Sequence, residues 1–71
     1  MDIGNIVMFT DEGRYAKYFF GQLAEVSSSS ISKSSGKEHV RVKWKFPVKY
    51  HDSYTTTSDF SADKFTLVSK I

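Results

Sequence analysis

Arg41, Lys43 and Lys45 recur at every second residue of HVRVKWKF, positions 39–46, with Val40, Val42, Trp44 and Phe46 between them. Side chains of an extended strand alternate between two faces. The segment therefore predicts a strand with one apolar and one cationic face. At ~3.3 Å per residue, neighbouring cations on that face stand ~7 Å apart, similar to the phosphate spacing along one nucleic-acid strand. The chemistry such a row performs is neutralisation of a phosphate backbone, with weak sequence preference and strong salt dependence. Lys49, Lys33 and Lys37 lie in the flanking segments and extend the patch. Tyr50 and Tyr54 follow it and offer rings that stack on bases or anchor a protein interface. The competing role for the basic face is a solvated surface whose lysines discourage edge pairing.

The remaining reactive types are sparse. His51–Asp52 sits in a chain rich in serine, but a triad needs a nucleophile held by a base that a third group orients. Neighbours in sequence generally point apart, and the chain has little room for a substrate cleft. No enzyme and no small-molecule substrate is expected. There is no cysteine and there are two histidines, so neither a disulfide nor a structural zinc site is expected, and no cofactor is implied.

The elements that must position these residues are short. Ile3–Phe9 reads as a first strand, followed by the polar loop Thr10–Gly13. Arg14–Tyr18 is ambiguous, and Tyr18–Val26 reads as a second strand in which Gly21 marks a bulge or bend. Residues 27–37, SSSSISKSSGK, form the one low-complexity stretch and read as a long mobile hairpin loop. Glu38–Phe46 is the clearest strand, ended by Pro47, which lacks a backbone donor. After the loop Val48–Ser53, Tyr54–Phe60 is a fourth strand. Ser61–Lys64 is one helical turn capped by Ser61, and Phe65–Val68 is a fifth strand. Trp44, Ile6, Met8, Phe20, Leu23, Phe60, Phe65 and Leu67 are assigned to the core.

The 71 residues make one domain near the lower size limit for a single core. Aromatic residues make up 15% of the chain, and large rings are how so short a chain fills its interior. A short all-β chain must close or nearly close its sheet to hide its edges. A small, strongly bent five-stranded barrel over residues 1–71 is therefore expected. Ten basic and eight acidic residues leave a net charge of +2. That permits an anionic partner without demanding one. No apolar run has the ~20 residues of a membrane span, and MDIGNIVMF lacks the basic start of a signal peptide. A cytoplasmic protein with no membrane partner is expected.

The G-x-x-V start (Gly4 to Val7), the aromatic-glycine second strand, the V-x-V-x-W strand and the helical turn before a short last strand (SADKFTLV) resemble the SH3-like barrel, as in Tudor and KOW domains. The likeness covers nearly the whole chain. WKFPVKYHDSYTTTSDFSADKFTLV further resembles small uncharacterised proteins of tailed bacteriophages. The first resemblance implies a binding module that takes nucleic acid, peptides or methylated side chains through loops and aromatics at one barrel end. Candidate cage rings are Tyr15, Tyr18, Tyr50 and Tyr54. The acidic segment that Tudor domains carry after the tryptophan strand is absent; FPVKYHDS stands there. The phage resemblance implies a host cytoplasmic setting.

Together these features lead to a non-enzymatic nucleic-acid-binding module, monomer or homodimer, acting through Arg41, Lys43, Lys45, Lys49, Tyr50 and Tyr54. The alternative is a protein-interaction module or inhibitor that docks on a host protein through barrel-end aromatics or a sheet edge.

Overall fold

The computed structural model describes residues 1–69. Five strands form one antiparallel sheet in the order β4-β3-β2-β1-β5. They are β1 (Ile6–Phe9), β2 (Leu23–Ile31), β3 (Glu38–Tyr50), β4 (Ser53–Ser61) and β5 (Phe65–Ser69). A single helical turn, α1 (Ala16–Phe19), joins β1 to β2, and a 3-10 turn, Ala62–Lys64, joins β4 to β5. The all-β class and the turn before the last strand agree with the sequence. The expected closure does not: the sheet stays open between β4 and β5.

The bend is nonetheless strong enough to gather one core. Phe9 of β1 is fully buried and its ring meets Phe19, Trp44, Phe60 and Phe65, at centroid distances from 5.1 to 6.4 Å. Four different elements thus converge on one ring. Val7, Ala24, Val26, Val40, Val42 and Val48 fill the rest. Trp44 is 3% exposed, and its indole N–H donates to Ser58 Oγ at 2.9 Å. Partnering that donor is what makes its burial tolerable.

Several elements depart from the sequence expectation, each for a local reason. β1 starts at Ile6 because residues 2–5 turn: Asn5 N–H donates to the Asp2 carbonyl at 3.1 Å, and Gly4 sits at φ 92°. The second strand starts at Leu23. Before it, Phe20 N–H donates to the Ala16 carbonyl at 2.9 Å, closing α1. Gly21 takes φ 82° and ends that turn, so it is not a bulge within a strand. Helical geometry sends Phe19 inward and leaves Phe20 51% exposed, against its assignment to the core. Leu67, on the open edge, is also exposed, and Ile6, Met8, Leu23 and Phe60 are half-buried.

The serine stretch is the largest correction. Ser27–Ile31 belong to β2: the register shifts at Ser27, Ser28–Ile31 pair with Glu38–Arg41 of β3, and only 32–37 turn. Composition argued for a loop because serine buries little. The backbone of these serines is satisfied by the β3 ladder regardless of side chain. Ser29 Oγ also donates to Glu38 Oε2 at 2.7 Å, and Ser27 Oγ donates to the Arg41 carbonyl at 3.0 Å. Pro47 likewise fails to end β3. The β2 pairing stops at Trp44, and the β4 register jumps from Lys43 to Val48. Pro47 therefore occupies a stretch where no ladder donor is required. The same irregularity turns Phe46 out to 68% exposure, although its parity matches Val42 and Trp44. Finally, Ser61 precedes the 3-10 turn without a side-chain capping bond, while Asp63 does lie in its first turn.

Candidate nucleic-acid interface

The outer face of β3 carries Arg41, Lys43, Lys45 and Lys49, all exposed, as the alternation requires. The sheet does not leave them as an isolated cationic row. Arg41 lies between Ser28 of β2 and Asp59 of β4 in the register. Its guanidinium donates twice to Asp59, from Nε to Oδ1 at 2.9 Å and from Nη2 to Oδ2 at 3.3 Å. These bonds hold the Asp59 carboxyl below the usual carboxylate range and raise the guanidinium further. Lys43 lies between Glu25 and Thr57. Two of the four cations thus have an acid on a neighbouring strand, which weakens the face as a phosphate track. Tyr54 is 69% exposed and pairs in register with Lys49.

A second constellation forms where α1 meets the β3–β4 turn. Asp11 starts it: Gly13 N–H donates to Asp11 Oδ2 at 3.0 Å, and Lys64 Nζ reaches the same oxygen at 3.5 Å. A Cβ on Gly13 would stand 2.7 Å from that oxygen, so the Asp11 carboxylate would have to shift to admit one. Thr10 and Asp11 N–H groups both donate to the Lys64 carbonyl, at 2.9 and 3.2 Å. The loop is thereby tied to the 3-10 turn, and α1 is fixed over the core by Phe19. That ring stacks on Trp44 at 4.8 Å and 12°.

Tyr15 and Tyr18, three residues apart, then face Tyr50. The centroid distances are 6.4 Å for Tyr15–Tyr50 and 4.7 Å for Tyr18–Tyr50. His51 packs against Tyr50 at 4.2 Å and Tyr18 at 5.4 Å. It holds φ 56° in the two-residue turn between Tyr50 and Ser53, where histidine is tolerated better than most side chains. Arg14 lies 5.6 Å from the Tyr15 centroid and Lys17 lies 5.0 Å from that of Tyr18, both within cation–π range. The cleft these six residues line contains no carboxylate.

The structure thus brings Tyr50 together with Tyr15 and Tyr18, and leaves Tyr54 outside the ring cluster. It spreads Arg41, Lys43, Lys45 and Lys49 along β3. Arg14 and Lys17 are the residues that sequence reasoning missed. Their signal was the spacing in RYAKY: two cations and two tyrosines, each pair three apart, as one helical turn presents them. The His51 ring packs against the rings of Tyr18 and Tyr50. Among the described residues no group of three or more His, Asp or Glu side chains is placed to hold a metal, and no helix is long and apolar enough to cross a membrane. Comparison with family models, with curated proteins and with solved structures found no match.

Proposed function

We propose that the protein is a non-enzymatic nucleic-acid-binding module whose contact surface is the tyrosine end of the sheet. The observation that carries this is the convergence of Tyr15, Tyr18 and Tyr50 with Arg14 and Lys17 in a cleft free of carboxylates. Cations neutralise phosphates and ring faces accept bases, a combination that tolerates any sequence. Lys49, next to Tyr50 and opposite Tyr54, extends the surface from β3. Arg41 and Lys43 contribute less, because Asp59 and Glu25 stand beside them. The strand order and the 3-10 turn before β5 support reading the module as SH3-like. On the phage resemblance, it acts in the host cytoplasm on host or phage nucleic-acid transactions.

Fluorescence anisotropy of a labelled oligonucleotide at ~50 and ~200 mM salt tests this. Three phosphate contacts on a single strand give a salt slope of roughly −2, so affinity falls about twentyfold over that range. Arg14→Ala/Lys17→Ala abolishes most of the binding and Lys43→Ala removes little. Salt-independent binding, or loss with Lys43→Ala alone, overturns the assignment.

A second reading, docking on a host protein, draws on a separate observation. Phe46 and Phe20 are 68% and 51% exposed. The edge strand β4 also carries neither lysine nor proline across its nine residues, so it lacks two common guards against strand addition. Phe46→Ser would weaken a protein complex and leave oligonucleotide binding intact.

A further inference from the structure

Tyr15 and Tyr50 form a ridge shared by two clefts. On one side lie Arg14, Lys17, Tyr18 and His51. On the other, Phe19 and Phe60 form an apolar floor, and Thr55, Ser58 and Asp59 of β4 form the far rim. The chemistry of the two sides differs. The first is cationic. The second is a shallow aromatic groove with hydrogen-bonding groups along one edge, where the Asp59 carboxylate is neutralised by Arg41.

Those groups have capacity to spare. Ser58 Oγ accepts from Trp44, which leaves its own O–H to donate. Thr55 Oγ1 donates to the Thr57 carbonyl at 2.7 Å, which leaves its lone pairs to accept. Among the described residues, neither the Tyr15 nor the Tyr50 hydroxyl has a hydrogen-bond partner. A flat, apolar-faced ligand with donors and acceptors on its edge, attached to an anionic chain, matches both sides of the ridge at once.

We infer that the ligand is single-stranded nucleic acid, and that one unpaired base lies against the Tyr15–Tyr50 ridge with its edge toward Thr55 and Ser58 while the neighbouring phosphates are held by Arg14 and Lys17. This rests on the nucleic-acid reading above and adds strandedness and the seat of the base. A duplex hides base faces inside its stack and cannot use the groove. It retains only the phosphate contacts.

The test uses the full chain and three labelled ligands of one sequence: a 12-nucleotide single strand, its duplex, and the single strand with its central bases replaced by abasic sites. Anisotropy at ~50 mM salt reads affinity, and Trp44, joined to the groove through Ser58, reads its occupancy by fluorescence. The intact single strand binds about tenfold tighter than either other ligand, the scale of one stacked base, and it alone changes the Trp44 emission. Thr55→Val removes part of that advantage without touching the ring cluster. The abasic ligand probes the same contact with no change to the protein. Equal binding of intact and abasic strands, or of duplex and single strand, overturns the seat of the base and leaves phosphate binding standing. No binding of any of the three overturns the nucleic-acid reading itself.

Discussion

At the scale of single residues, three side chains carry testable consequences. Ser58 is the partner of the buried Trp44 N–H. Ser58→Ala strands that donor and is expected to cost about 1–2 kcal/mol, read from urea unfolding followed by Trp44 emission. His51 is the one non-glycine residue at positive φ among those described. His51→Asn keeps a residue suited to that conformation and changes stability little. His51→Val places a β-branched side chain there and costs about 1–3 kcal/mol; unchanged unfolding of the valine variant would contradict the turn geometry. Glu38 accepts from the Met1 ammonium at 2.6 Å and from Ser29, bonds that hold its carboxyl below the ordinary 4.5. The Arg41 bonds do the same to Asp59, below 3.8. A carboxylate with a lowered folded-state value binds fewer protons folded than unfolded, so its contribution is present above its unfolded value and is lost as pH falls. Stability should therefore decline as pH falls below about 4.5, through the range where these two groups protonate. Asp59 is exposed and Glu38 half-buried, so the decline is shallow, and Glu38→Gln with Asp59→Asn should flatten it. A loss on the alkaline side instead would contradict this assignment.

At the scale of elements, β3 was the easiest to read and the serine arm the hardest. The alternation of Val40, Val42 and Trp44 with charged residues reports a half-buried strand directly, because one face of β3 covers the core. Past Trp44 the signal misleads: Pro47 and Phe46 obey no ladder there, since neither neighbour pairs in regular register. Ser27–Ile31 carry no alternation at all, because that part of β2 lies on the sheet with neither face buried. What orders it is backbone pairing, which leaves no trace in side-chain type. Hydrogen exchange separates the two descriptions. Amides of 28–31 that face β3 should exchange markedly slower than those of 33–35; uniformly fast exchange over 27–37 would restore the loop. α1 escaped notice because four residues are too short for a helical period to emerge, and because Phe19 and Phe20 both look like core.

At the scale of the whole molecule, function is a matter of what the bend brings together. Tyr15, Tyr18 and Tyr50 are each visible in the sequence as rings near strand ends. Their meeting depends on a contact between α1 and the β3–β4 turn, more than thirty residues apart in the chain, and no local pattern encodes it. The reverse holds for the basic row, which is conspicuous in HVRVKWKF and is diluted in the fold by Asp59 and Glu25 on adjacent strands. The contact we propose is therefore the tyrosine end and not the β3 face. Backbone amide chemical shifts during titration with an unlabelled 12-nucleotide single strand test it most directly. The perturbed amides should cluster at residues 14–19, 50–51 and 55–58, and fade together as salt is raised. Perturbations centred on Arg41, Lys43 and their neighbours Ser28 and Glu25, with the tyrosine end silent, would contradict it.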